Sequence, residues 1–138
     1  MKKIVALIIV LVLMFAFSSV ALASSAGNQV YQRSSITHRY DFGPLAKDTA
    51  NWTSATDKNT YVQFGNSSLE RYQNSCVVTD TGTAMGTQKS VYSGKSASLP
   101  LYQSYLSTAH ANLRASNPYY GTANASPMST SGVFTMTF

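Results

Sequence analysis

Short runs in which every second residue is large and apolar recur along this chain, with turn-forming residues between them. Ile36, His38, Tyr40 and Phe42 alternate with Thr37, Arg39 and Asp41, and Phe134, Met136 and Phe138 alternate with Val133, Thr135 and Thr137. Successive side chains of a strand point to opposite faces, so a period of two marks a strand with one buried face. Thr60–Gly65 reads the same way, with Val62 and Phe64 together, and residues 73–79 hold another strand around Cys76, Val77 and Val78. Gly43-Pro44 ends the first run, Asn66-Ser67-Ser68 follows the second, and Asp80-Thr81-Gly82 is a hairpin-type turn leading to a partner strand within 83–92. Residues 45–59 are mostly polar, with Trp52 their single aromatic residue, and residues 117–131 are loop-like.

Leu99–Asn117 fits two periods. Tyr102, Tyr105, Leu106, Ala109 and Leu113 make a helical stripe, whereas Ala109, Ala111, Leu113 and Ala115 alternate as in a strand. The reading that uses both is a helical turn near 100–107 and a strand near 109–116. Turn signals every eight to twelve residues then predict a mainly β fold. The expected architecture is a small antiparallel β-sandwich of about six or seven short strands, with one short helix near 100–107.

The first 23 residues say where the chain goes. Lys2-Lys3 precede fourteen unbroken apolar residues, Ile4–Phe17, and Ala21-Leu22-Ala23 supplies a small-x-small cleavage site before Ser24. This is the pattern of a secretory signal peptide, and the apolar run is shorter than the roughly 20 residues of a membrane span. The expectations are export, no lipid anchor, since no cysteine follows the run, and no stable membrane insertion after cleavage. Residues 24–35 read as a flexible polar leader and 36–138 as a single β-rich domain.

Cutting after Ala23 leaves 115 residues, room for one domain with one modest core. Eight Lys and Arg then face five Asp and Glu, spread without a cluster, so there is no nucleic-acid footprint. Weak attraction to an anionic cell wall or surface component is what that charge supports. Ser and Thr make up 32 of the 115 residues, which suits solvated strand faces. Cys76 is the only cysteine. The fold therefore has no internal disulfide, and Cys76 inside an apolar run reads as a small buried hydrophobe.

An export signal, a polar leader, the strands THRYDF and TYVQF, the later segment ANLRASN and the closing strand SGVF are arranged together. In that pattern the chain resembles uncharacterised small exported β-sandwich proteins of Gram-positive bacteria. The resemblance implies a small β-sandwich and carries no catalytic residues with it.

Val77-Val78-Thr79-Asp80-Thr81-Gly82-Thr83-Ala84 looks like the aspartic-protease motif, in which two carboxylates share a proton. Thr79 is polar where that family prefers an apolar residue, and no supporting apolar-Gly run follows. The simpler reading is a turn. His38 and His110 lack ligand-spaced neighbours, so no metal and no cofactor is expected. His38 falls on the apolar face of its run and reads as a core or interface residue. No Gly-x-Ser-x-Gly elbow is present. Trp52, Tyr119 and Tyr120 lie in loop-like segments, where rings can stack on a ligand; they are the candidate binding residues. The expected function is an exported, non-catalytic β-domain acting by binding at or outside the cell surface. The alternatives are a secreted bacteriocin-like or toxin protein, a hydrolase using Asp80-Thr81-Gly82, and a membrane barrel closed by Phe134, Met136 and Phe138.

Overall fold

The computed structural model describes residues 27–47 and 51–138. Eight strands run in order: β1 (Asn28–Ile36), β2 (Arg39–Ala46), β3 (Ser54–Phe64), β4 (Tyr72–Val78), β5 (Lys89–Tyr92), β6 (Ser96–Ser98), β7 (His110–Ser116) and β8 (Met128–Thr137). They form two four-stranded sheets, ordered β1-β8-β3-β6 and β2-β7-β4-β5, with every pairing antiparallel. The fold is mainly β, a small sandwich as the alternation predicts, with eight strands rather than six or seven. A 3-10 turn at Gln103–Tyr105 followed by β7 resolves the ambiguous segment in favour of a helical turn and then a strand.

The sandwich interior follows from period two. Ala111, Leu113 and Ala115 of β7 are fully buried, as are Met128, Phe134 and Met136 of β8. Leu45, Trp52, Val62, Met85 and Val77 complete the apolar layer. Burying each large side chain contributes about 1.5–3 kcal/mol. Phe134 and Met136 therefore face the core, and the strands make two separate sheets rather than one closed barrel. Among the described residues no helix is long and apolar enough to cross a membrane.

Three local expectations are corrected. From Asn28 onward the polar leader is strand β1, paired with β8 from Asn28↔Thr135 to Arg33↔Thr130. It is an edge strand burying only Tyr31 and Ile36, so no alternation marks it. The run Ile36–Phe42 is not one strand: Ile36 ends β1 in one sheet and Arg39 starts β2 in the other. Its alternation does not describe one face, and His38 is exposed rather than in the core. Gly43-Pro44 does not end the strand but sits within β2, where the register shifts between Phe42 and Leu45. An edge strand tolerates such a bulge, and a proline there removes no ladder hydrogen bond. The signal-peptide segment 1–23 and the leader before Gly27 lie outside the described residues.

The interior is not uniformly apolar. Asp57, Asn59, Gln73, Ser75 and Thr130 are buried between the sheets beside Tyr31, all at 2% exposure or less. Asp57 accepts hydrogen bonds from Tyr31 Oη (2.6 Å), Ser75 Oγ (2.6 Å) and Gln73 Nε2 (3.0 Å). Asn59 Nδ2 donates to Thr130 Oγ1 (3.0 Å) and to Tyr31 Oη (3.2 Å). Thr130 Oγ1 in turn donates to Gln73 Oε1 (2.5 Å). Tyr31 reaches this cluster by lying across Gly132, its pairing partner on β8. A Cβ at Gly132 would stand 2.6 Å from Tyr31 Oη and 2.5 Å from the Lys58 carbonyl oxygen, so only glycine fits. Asp57 and Asn59 take inward positions of β3, so the strand continues back to Ser54 where the sequence looks merely polar.

Candidate functional site

The outer face of the second sheet carries a pocket built from three elements. Register places Asp41 of β2, Arg114 of β7 and Cys76 of β4 in one row across the sheet. Arg114 Nε donates to Asp41 Oδ1 (2.7 Å) and Nη2 to Asp41 Oδ2 (2.8 Å), a two-pronged pair that fixes the guanidinium plane. The Arg114 side chain is 12% exposed and that of Asp41 32%. The hydrogen bonds that Arg114 donates to Asp41 raise the Arg114 pKa further, so its charge is permanent.

The turn after β4 folds over this row. Thr79 N–H donates to the Thr83 carbonyl (2.8 Å), Gly82 N–H to the Thr79 carbonyl (3.0 Å), and Thr83 N–H to Thr79 Oγ1 (3.0 Å). Gly82 has φ +87, and a Cβ there would stand 3.2 Å from Arg114 Nη2. Glycine thus supplies both the left-handed backbone and the close approach to the guanidinium. The resulting pocket, about 370 Å³, is lined by Arg39, Tyr40, Asp41, Asp80, Thr81, Gly82 and Arg114. It presents a fixed cation, a second guanidinium from Arg39, and the exposed carboxylate of Asp80 3.7 Å from His110 Nδ1.

Asp80 therefore sits in a hydrogen-bonded hairpin turn. Its carboxylate lies 3.7 Å from His110 Nδ1. Cys76 is buried, as its sequence context suggests, but on this outer face beside Arg114 rather than between the sheets. Burial pushes its thiol pKa up, which keeps it protonated and unreactive.

The three aromatic candidates do not meet. Trp52 is 1% exposed, a core residue whose indole N–H donates to the Thr108 carbonyl (2.6 Å), so it is withdrawn as a ligand contact. It precedes β3, whereas Tyr119 packs edge-on against Phe64 at the far end of that strand (5.1 Å). Ten residues of strand separate the two ends, roughly 30 Å. Tyr119 is half-buried, also meets Tyr72, and its hydroxyl donates to the Glu70 carbonyl. Tyr120 is the one left open, stacked on His38 with ring centroids 3.8 Å apart. Sequence reasoning found Asp80 and Gly82 but missed Asp41, Arg114 and Arg39. The available signal was that Asp41 and Arg114 stand at outward positions of two strands that become neighbours.

Among the described residues, no group of three His, Cys, Asp or Glu side chains is placed to hold a metal ion. No family model matches the chain, and comparison with curated proteins and with solved structures finds no match.

Proposed function

We propose that this chain is an exported, non-catalytic β-sandwich that acts by binding at or outside the cell surface, through the pocket between β2, β7 and the 79–83 turn. The observation that carries the reading is the Arg114–Asp41 clamp. It holds a guanidinium rigid at the floor of an open polar pocket, with Arg39 beside it. A preorganised cation loses little side-chain freedom when a ligand docks, which favours binding over surface arginines that must be ordered first. Two guanidinium groups suit carboxylate or phosphate groups, and Asp80, Thr81 and the peptide groups of the turn suit hydroxyls. An anionic, hydroxylated cell-wall polymer combines these features. Excess positive charge on the chain adds weak long-range attraction to such a polymer.

The test is binding of the purified chain to isolated cell walls and to their soluble anionic polymer, at increasing salt. Arg39→Ala removes the free guanidinium without touching the clamp. It is expected to weaken binding about tenfold, the equivalent of 1.4 kcal/mol. Salt should weaken the wild type as well. Equal binding by wild type and Arg39→Ala, or no binding at any salt, overturns this reading. Killing of neighbouring cells by the purified chain would favour the toxin alternative instead.

A further inference from the structure

We propose that Gln73 and Thr130 are the two ends of a side-chain ester bond that the folded protein forms by itself across the sandwich. The contact that points to it is direct. The Thr130 hydroxyl touches the Gln73 carboxamide oxygen at 2.5 Å, with both residues fully buried. An alcohol and an amide held in contact away from water meet the positional requirement for acyl transfer. Asp57, also fully buried, has Oδ2 3.0 Å from Nε2 of Gln73, the nitrogen that would leave. Asn59 Nδ2 donates to the Thr130 hydroxyl (3.0 Å), which also lies 3.2 Å from the Tyr61 carbonyl oxygen, and these contacts fix its position.

The chemistry balances without any outside reagent. Thr130 Oγ1 adds to Cδ of Gln73, and its proton passes to Oε1, which it already bonds. The Asp57 carboxylic acid gives its proton to Nε2. The Cδ–N bond breaks and ammonia leaves. The proton on Oε1 returns to Asp57 as the carbonyl re-forms. One amide and one alcohol become one ester and one ammonia, and nothing is oxidised or reduced. Burial raises the Asp57 carboxyl pKa, which favours the acid form this step uses. The same dry interior keeps water from cleaving the ester.

The placement explains an otherwise costly cluster. A buried carboxyl with neutral partners alone is a poor way to fill a core, since an apolar residue fits such a space at less desolvation cost. Gln73 belongs to β4 in one sheet and Thr130 to β8 in the other, 57 positions apart. A bond between them closes a long loop, as a disulfide does, in a chain whose one cysteine is free.

Intact-mass measurement of the full chain, purified folded and aged at neutral pH, tests this. The expected mass is lower than the composition by one ammonia, complete rather than partial. Digestion should release the Gln73 and Thr130 peptides as one linked species that mild base separates. Thr130→Val should restore the full mass. Asp57→Asn, of the same shape, should slow or stop the loss while the fold survives. Full mass with separate peptides in the aged wild type overturns the proposal. So does an ammonia deficit that maps to a single peptide, which would be a succinimide instead. If Thr130→Val does not fold, the wild-type peptide map alone decides.

Discussion

Asp57 and Asp41 are the same residue type on the two faces of one sandwich, and almost nothing else about them is shared. Asp41 stands at the outer surface, faces a permanent cation and keeps a third of its side chain in water. Asp57 sits between the sheets, held by a phenol, a hydroxyl and an amide, with no cation beside it among the described residues. Asp41 is held by two hydrogen bonds from Arg114, whereas desolvation in the interior favours the neutral acid at Asp57. Surroundings rather than residue type therefore suit Asp41 to orient an arginine for a ligand and Asp57 to hold a proton.

The sharpest way to break this contrast is to delete each carboxylate. Asp57→Ala leaves the buried hydroxyls of Tyr31 and Ser75 without their acceptor and should cost about 3 kcal/mol in urea unfolding. A cost close to zero would mean the interior cluster relaxes or admits water. A second test uses pH. The folded-state pKa of Asp57 is raised above its ordinary value, so the native state binds the extra proton. That stabilisation is fully present below the ordinary carboxylate range and is lost as pH rises through the raised value. In that window the wild type should lose stability by up to about 1.4 kcal/mol per pH unit relative to Asp57→Asn. Parallel urea midpoints for the two proteins between about pH 4 and pH 7 would remove the distinction.

Smaller effects belong to the outer face. Asp41→Asn weakens the clamp on Arg114 but leaves both groups access to water. A loss of about 1 kcal/mol is expected, with weaker binding at the pocket as the more sensitive readout. Asp80→Asn preserves the turn geometry, and its stability change should stay within about 0.5 kcal/mol by thermal unfolding. With denatured protein as substrate between about pH 3 and pH 6, the range in which a shared-proton carboxylate pair works, neither form is expected to cleave. Cleavage that Asp80→Asn abolishes would reverse the non-catalytic reading.

The same contrast separates what sequence could reveal from what it could not. β7 and the second half of β8 alternate Ala111, Leu113 and Ala115, or Phe134 and Met136, against outward residues, so those faces are legible one strand at a time, whereas Met128–Ser131, which opens β8, reads as loop. β3 hides its first half because Asp57 and Asn59 occupy inward positions, and a local reading takes polar residues as outward. β1 hides because an edge strand buries only two of its nine residues. Trp52 misleads for a related reason. A ring in a polar segment looks like a surface feature, yet one hydrogen bond to Thr108 satisfies its N–H and lets the rest be buried. Both polar sites depend on pairing between strands distant in sequence: β2 with β7 for the pocket, and β1, β3, β4 and β8 for the interior. A turn such as Asp80-Thr81-Gly82 is local and can be read directly. A constellation assembled by the topology cannot.

The pairing of β1 with β8 also sets the order in which the chain can become a protein. Among the described residues, the first strand has its only sheet neighbour in the last, and β8 is also the strand that joins β3 to that sheet. No early segment can therefore close the first sheet while the end of the chain is still being made. Pairings of such high sequence separation fold slowly, because a long loop must be ordered before any contact rewards it. Were the chain exported unfolded, as the proposed function supposes, that slowness would help: until β8 arrives, the first sheet cannot be completed.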